Sequence, residues 1–334
     1  MKSLKVGLIG CGGFAKGMHV PILKKNPKYT IHATMDIVES AAKEVAADTN
    51  AAYWTTDLDR LLADPEIDVV FIMTWHNSHA ELSIKAANAG KHILCEKPMG
   101  LTREECRAVA EAVKRNNVKY TVGYNRGMAP MVAKARDLLA DLPYKKMVYH
   151  RIQAYFPEDH WTHIANIGGG RFVGEGCHIF DLICKIINQP PIMVYASGGT
   201  FLDPEKVKIS DSAIITITFA DGSIGTTLIN SAGCSDFPKE ATEIYCNNKA
   251  IYINDFTKME YCGFEGHKKT FFEIDSVDKG HAIEVDKLAD AILNNTESPN
   301  GIENAARAAV ISYMVNESIK SGAPLQIREN DYIF

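Results

Sequence analysis

Leu4-Lys5-Val6-Gly7-Leu8-Ile9-Gly10-Cys11-Gly12-Gly13-Phe14-Ala15 is the stretch whose reading decides the fold. Six mostly apolar residues make a short strand, Gly10-x-Gly12-x-x-Ala15 follows at once, and a helix is expected from Gly13 to Lys25. Strand, glycine turn and helix in that order form a dinucleotide-binding turn. Gly10 permits the tight turn, Gly12 lets the backbone approach a pyrophosphate, and Ala15 allows helix and strand to pack closely. The helix N-terminus then faces the phosphates. Cys11, Gly13 and Phe14 lie in the same turn and are expected at the cofactor with Gly10 and Gly12. Alone the motif is weak; the strand before it and the helix after it carry the reading.

The next segments extend the pattern. Thr30 to Met35 reads as a second strand ending at Asp36. A carboxylate there can accept both ribose hydroxyls of NAD and repels a 2′-phosphate. Ile37 and Val38 bring no cation to hold such a phosphate, so NAD is expected over NADP, with Asp36 and Ile37 beside it. The alternative for Asp36 is a solvated loop residue. Asp68 to Thr74 is nearly all apolar, as a strand buried on both faces should be. Thr74-Trp75-His76-Asn77-Ser78-His79 follows, and Thr74, Trp75, Asn77 and His79 are expected in the crevice ahead of His76. One of the two histidines is expected only to cap or pack.

His92 to Cys95 leads into Glu96-Lys97-Pro98. This puts a lysine at the carboxyl end of a later strand, where an open α/β sheet holds its ligand. Spacing alone reads Lys97 equally well as a surface lysine before a turn. Beside a positive nicotinamide its pKa can fall, which suits proton transfer. Glu96 is expected at the cofactor with it. Helices after Met35, at 57–63, 79–89 and from Thr102, and a strand at 118–122, complete a strand–helix alternation. The fold class is therefore α/β, a doubly wound parallel sheet over residues 1–122.

After Gly123 the pattern changes. Helices are expected at 128–140, 175–187, 281–294 and 302–320. Strands are expected at 146–156, 192–200, 211–219, 223–230, 241–246, 249–254, 258–262 and 269–274. Asp221-Gly222 and Asn247-Asn248 are turn signals between strands. Residues 123–334 thus form an α+β domain with a large, mostly antiparallel open sheet. Within it, Glu175 and His178 are spaced to share a helical face, just after Gly168-Gly169-Gly170. His178 has apolar neighbours (Ile179, Phe180, Leu182, Ile183), so a core histidine and a catalytic base are both open readings. Asp181 is expected to support structure.

Composition narrows the partners. A net charge of −5 leaves no cationic excess for nucleic acid or anionic membrane. No apolar run approaches the roughly 20 residues of a membrane span. The eight cysteines include no CxxC pair. Buried free thiols are expected, no metal is expected, and a reducing compartment fits. Met1-Lys2-Ser3 runs directly into a strand without a signal peptide, so a cytoplasmic protein is expected.

With these residues in view, the chain resembles the glucose–fructose oxidoreductase / inositol dehydrogenase / MocA family over essentially its whole length. The resemblance rests on Gly10-Cys11-Gly12 with His19 beyond it, Asn77-Ser78-His79, Glu96-Lys97-Pro98 and Gly123-Tyr124-Asn125-Arg126. It continues in Gly168-Gly169-Gly170 with His178 and Asp181, and in Ser318 to Gly322. It implies a Rossmann domain and a second domain whose open sheet mediates a homodimer or homotetramer. It implies an NAD-dependent dehydrogenase acting on a secondary ring hydroxyl of a sugar, glycoside or cyclitol. The family's lysine maps onto Lys97, which hydrogen-bonds the reacting oxygen, and its histidine onto His178 as general base. Asn125 is expected at the cofactor and Arg126 at the substrate.

One departure matters. The family often has an aspartate four residues before the histidine; here that position is Gly174, and Glu175 follows. The Gly-Glu-x-Cys-His form resembles a subgroup that includes the dehydrogenase half of two-domain bacterial oxidoreductases. Glu175 is expected to replace the aspartate and orient His178, which weakens an inositol-specific reading. His160 and Trp161 are expected to wall the sugar site, against plain packing. Two other functions are compatible with the sequence: a non-catalytic sugar- or NAD-sensing regulator, and glycoside cleavage through transient sugar oxidation with NAD recycled.

Overall fold

The computed structural model describes residues 3–264, 266 and 269–334. The chain divides into two compact units. The first runs to Gly123 and takes in His281–Ala306 and Phe334; the second is Tyr124–Gly280 with Arg307–Ile333.

The first unit holds β1 (Leu4–Ile9), β2 (Tyr29–Met35), β3 (Tyr53–Thr55), β4 (Val69–Ile72), β5 (His92–Cys95) and β6 (Tyr120–Val122). They form a parallel sheet in the order β3-β2-β1-β4-β5-β6. Between them lie α1 (Val20–Lys25), α2 (Glu39–Thr49), α3 (Leu58–Leu62), α4 (His79–Asn88) and α5 (Arg103–Asn116). The winding reverses between β1 and β4, which is where a doubly wound sheet opens a crevice. Every residue of β4 is buried, as its unbroken apolar run requires. β3 goes beyond the sequence reading, being too short to show a period of two.

The first helix begins at Gly13 as expected, but Ala15–His19 form one π turn ahead of α1. Pro21 has no N–H to give Gly17, and a widened turn is one way a helix accommodates that loss. His19 ends the π turn fully buried.

The second unit contains α6 (Pro130–Leu139), β7 (Met147–Gln153), α7 (Cys177–Ile187), β8 (Pro191–Gly199), β9 (Ser212–Phe219) and β10 (Ile224–Asn230). β11 (Glu240–Cys246), β12 (Lys249–Asn254), β13 (Lys258–Cys262), β14 (Thr270–Glu273) and β15 (Leu325–Gln326) follow. The sheet order is β14-β13-β12-β11-β7-β10-β9-β8-β15. Neighbours are antiparallel except β7 and β10, which run parallel. Along β10, Gly225, Thr227 and Ile229 are buried while Ile224, Thr226, Leu228 and Asn230 are half-exposed. One face of this sheet is covered and the other open.

α7 is buried at every position but Lys185. Gly225 sets how closely it lies on the sheet: a Cβ there would stand 2.3 Å from Ile183 Cγ2. The helical run starts at Gly170, five residues earlier than expected, and passes through a π turn at Phe172–Gly176. Gly174 and Gly176 are poor helix formers, which hid that start.

Two helices close the chain. α8 (His281–Leu293) belongs to the first unit. Val285, Leu288 and Ala289 join Val6, Leu8 and Phe71 in one core, and the Tyr29 hydroxyl donates to the Val285 carbonyl at 2.9 Å. The expected assignment of everything after residue 122 to the second domain is therefore corrected for 281–306. α9 (Ile302–Ser321) ends on Gly322 at φ +68°, whose N–H donates to Ser318 O. Ser318 Oγ donates to the Ala323 carbonyl and accepts from Ala196 N, so the Ser318–Gly322 element is a helix stop pinned to β8. Six thiols are buried, but Cys234 is exposed and Cys262 half-buried, against the expectation for those two. Among the described residues no helix is long and apolar enough to cross a membrane.

Gly225→Ala should drive a methyl into Ile183. We expect a loss of about 1–3 kcal/mol, the usual cost of overpacking a core, read as a Tm several degrees lower by circular dichroism. An unchanged Tm would refute the close approach of α7.

Candidate active site

Four strand ends of the first unit carry the predicted cofactor residues: Gly10 after β1, Asp36 after β2, Thr74 after β4 and Glu96 after β5. Gly10 has φ +93°, and a Cβ on it would lie 2.6 Å from the Met73 carbonyl oxygen, so only glycine fits this turn. Nothing lies within 4 Å of where side chains would begin at Gly12 and Gly13, which leaves their backbone open to a phosphate group. Asp36 Oδ2 accepts from Cys11 N at 2.7 Å and Oδ1 from Val38 N at 2.8 Å. A carboxylate has about four acceptor positions, so capacity for two ribose hydroxyls remains. The Cys11 thiol points inward; burial, then Asp36, pushes its pKa up to about 12, and only its backbone serves the turn. Phe14 is exposed and meets the His19 ring edge-on. Ile37 is 86% exposed, and no basic side chain neighbours it in sequence.

Beyond β4, the Thr74 and Ser78 hydroxyls are 2.7 Å apart, Ser78 Oγ donates to Trp75 O, and Trp75 and Asn77 are exposed. His79 is fully buried, with Nδ1 2.8 Å from Pro98 O and Nε2 3.1 Å from Thr74 O. Burial holds its pKa below the usual imidazole range. A neutral ring has one N–H, and both nitrogens face backbone carbonyls. The neutral ring can therefore donate to only one of them at a time, and it packs between the loop after β4 and the loop after β5.

Glu96 is buried and accepts from His19 Nε2 at 2.7 Å. Because a carboxylate only accepts, Nε2 carries the proton. Burial would raise the Glu96 pKa, but the His19 bond and charge, with Lys97 and His281, outweigh it and hold it down to about 2. Lys97 follows, half-buried, before a cis peptide bond to Pro98.

The second unit gathers Tyr124, Asn125, Arg126, Glu175 and His178. The Tyr124 and His178 rings meet edge-on with centroids 6.0 Å apart, both buried. Asn125 Nδ2 donates to Lys279 O at 2.8 Å. Arg126 grips Glu240 with Nε and Nη2 at 2.7 and 3.0 Å, and Nη2 also reaches Glu175 Oε1 at 2.8 Å. Lys239 approaches Glu175, and Lys279 donates to Glu240. Burial opposes ionisation of Glu240, yet Arg126 and its neighbours hold the carboxyl well below the carboxylate range. Arg126, expected at the substrate, is engaged with two carboxylates and fixes Glu175 in place. Phe156 and His160 meet edge-on at 5.3 Å, and His160 and Trp161 follow at 5.8 Å.

Sequence reasoning missed His19 as a partner of Glu96, and Glu240 as the anchor of Arg126. His19 stood in the quoted motif without a role. Glu240 lies 114 positions from Arg126, and no periodicity links them.

Glu96→Gln removes a charge the fold keeps ionised. We expect it to cost about 1–3 kcal/mol near neutral pH, as for a hydrogen bond to a charged group. The folded-state pKa lies below the ordinary 4.5, so this stability is present above 4.5 and lost as pH falls towards 2. Denaturant melts should show wild type and variant converging over that window. A gap independent of pH would contradict the assignment.

Comparisons with known proteins identify relatives of the chain. Residues 4–124 match the model of the GFO/IDH/MocA oxidoreductase family with an NAD-binding Rossmann fold, and 145–252 match the GFO/IDH/MocA C-terminal domain. The chain is 27% identical to the uncharacterized oxidoreductase YrbE of Bacillus subtilis, covering 99% of each. It is 22% identical to a myo-inositol 2-dehydrogenase of Thermotoga maritima, covering 98% of this chain and 99% of that one. The fold superposes on a levoglucosan dehydrogenase solved with NADH and levoglucosan, with a TM-score of 0.87 and 22% identity over 98% of this chain and 100% of that one. The chain belongs to the Gfo/Idh/MocA family of NAD-binding oxidoreductases.

Proposed function

We propose that the protein is an NAD-dependent dehydrogenase acting on a secondary ring hydroxyl of a sugar, glycoside or cyclitol. The observation that carries this reading is the C-terminal edge of the first sheet, where the Gly10 turn, Asp36 and Lys97 follow β1, β2 and β5. Relatives named as inositol dehydrogenases support the substrate class. The residues fit NAD: open backbone at Gly12 and Gly13 for the pyrophosphate, and spare acceptor capacity on Asp36 for the ribose. NAD supplies the hydride acceptor or donor at C4 of its nicotinamide.

The chain's own residues handle the proton. His178 is the base for the substrate hydroxyl, and Lys97 donates to the same oxygen as alkoxide character develops. Glu175 is a positioning residue; held by Arg126, it presents a fixed negative charge at the start of α7. His160 and Trp161 offer ring faces to the sugar's C–H surface. Lys97 and His178 together support an enzyme over a sensing role.

The assembly we propose is a homodimer or homotetramer built on the open face of the nine-stranded sheet. Thr216, Thr226, Tyr149, Glu243, Tyr252, Glu260 and Phe271 form one register row across it, with Tyr195 beside Thr216. Tyr195, Ile214, Tyr245, Tyr252 and Phe271 are exposed there, and grouped exposed apolar side chains mark interaction surfaces. The reading also makes the protein cytoplasmic, which its unpaired thiols support.

A screen of sugars, inositols and glycosides with NAD, followed by NADH absorbance, tests the activity. Lys97→Ala and His178→Ala should each lower kcat by roughly 10²-fold or more, the usual scale for acid–base groups. NAD affinity should hold. His178→Ala should also remove the ionisation near neutral pH from kcat/KM. Glu175→Gln should cost less and shift that ionisation without abolishing it. An Ala variant with wild-type kcat would overturn the assignment of that residue. Light scattering should give a multiple of 36.8 kDa; a monomer at micromolar concentration would refute the assembly.

A further inference from the structure

Arg171 follows Gly168-Gly169-Gly170 directly and is 3% exposed. Its guanidinium carbon lies 3.9 Å from the centroid of the Phe156 ring. Its Nε and Nη2 atoms are buried, and among the described residues neither has a hydrogen-bond partner. Those two N–H groups share one edge of the guanidinium, the edge that receives both oxygens of a carboxylate at once. Arg126, in the same unit, shows the filled version: its Nε and Nη2 hold the two oxygens of Glu240.

The anions near Arg171 are engaged elsewhere. Glu175 and Asp211 act on it through space. Glu175 is held by Arg126 and Lys239. Asp211 accepts from Phe201 N, Leu202 N and Ser212 Oγ. A buried cation without an anionic partner is costly, and a planar carboxylate matches the open edge better than a neutral hydroxyl does. Arg171 also ends a run of rings. Trp161 faces His160, His160 meets Phe156, and Phe156 covers Arg171. All three rings are half-buried, and two of them are the proposed sugar wall.

We propose that the substrate is a ring sugar bearing a carboxylate, a uronate or its glycoside. Its acid group is received by the Nε–Nη2 edge of Arg171, and its C–H face rests on His160 and Trp161. This rests on the dehydrogenase reading and narrows its substrate class. Because Nε and Nη2 are buried, binding requires a local shift that opens that edge.

The test compares D-glucuronate with D-glucose, and D-galacturonate with D-galactose, by initial rates of NADH formation. The acid of at least one pair should have the higher kcat/KM, by roughly 10–100-fold, the scale of hydrogen bonds to a charged group. In Arg171→Gln that ratio should fall towards one through KM, with Tm and NAD affinity held; Arg171→Lys should keep part of it. A wild type that prefers the neutral sugar in both pairs overturns the proposal without needing a variant. Arg171→Gln that slows acid and neutral sugars alike does so too. Calorimetric titration of the NADH-bound protein with each uronate separates the two levels. Binding lost in Arg171→Gln, with no turnover of any sugar, supports the subsite and sinks the dehydrogenase reading. Turnover of neutral sugars with no uronate binding leaves the dehydrogenase reading standing and sinks the subsite.

Discussion

Glu96 is a carboxylate kept ionised inside the first unit, and the crevice side of that unit is organised around it. Removing an ion from water is expensive unless a partner replaces the lost hydration. His19 is that partner, and a widened helical turn delivers it fully buried. The same bond joins the helix that opens after the glycine turn to the residue before Lys97. The buried His79 ring packs between Thr74 O and Pro98 O and donates to one of them. The loops after β1, β4 and β5 are thereby mutually fixed, which is what a site must have if a backbone edge and a lysine are to act with small tolerance.

The second unit meets the same constraint with different chemistry. Glu240 enters β11 buried and ionised, and Arg126 with Lys279 supplies the opposite charge. The same Arg126 Nη2 that holds Glu240 also donates to Glu175. The consequence reaches the candidate chemistry. A carboxylate held between a guanidinium and an ammonium cannot readily move a proton itself. It can impose a steady negative field on the start of α7 and keep that end of the helix in one position. This favours positioning over proton transfer for Glu175, whatever the residue four before His178 would have done.

How much of this was legible depends on distance along the chain. The parallel sheet could be read because each of its signals is local: an apolar run, a glycine turn, a capping Thr102 whose hydroxyl does accept from Glu105 N. The antiparallel strands were legible for the same reason, through strand-like runs and turn signals such as Asp221-Gly222 and Asn247-Asn248. Pairings over long separations were not. Nothing in the spacing of Arg126 and Glu240 announces a bond, and Arg126 therefore read as a substrate ligand. α8 has an ordinary amphipathic pattern, and only the packed core shows that its apolar face completes the first unit. His79 had the right place for a ligand residue, but its two ring nitrogens meet backbone carbonyls that no pattern could foretell.

Helix geometry accounts for the remaining gap. Both π turns lie where glycine or proline weakens the ordinary ladder, at Gly17 and Pro21 in one case and at Gly174 and Gly176 in the other. A reading that assumes an unbroken α period places side chains on the wrong face after such a turn. The second π turn separates Arg171 from α7 and carries Glu175, so the two charged residues leave one helical run with different partners. Glu175 is drawn to Arg126. Arg171 is left beneath Phe156 with its bidentate edge unmatched by any described residue. The two buried arginines of this unit, Arg126 and Arg171, differ in whether the chain itself supplies the anion. Where it does, at Arg126, the result is architecture; where it does not, at Arg171, the unmatched edge is the one the proposed substrate carboxylate would meet.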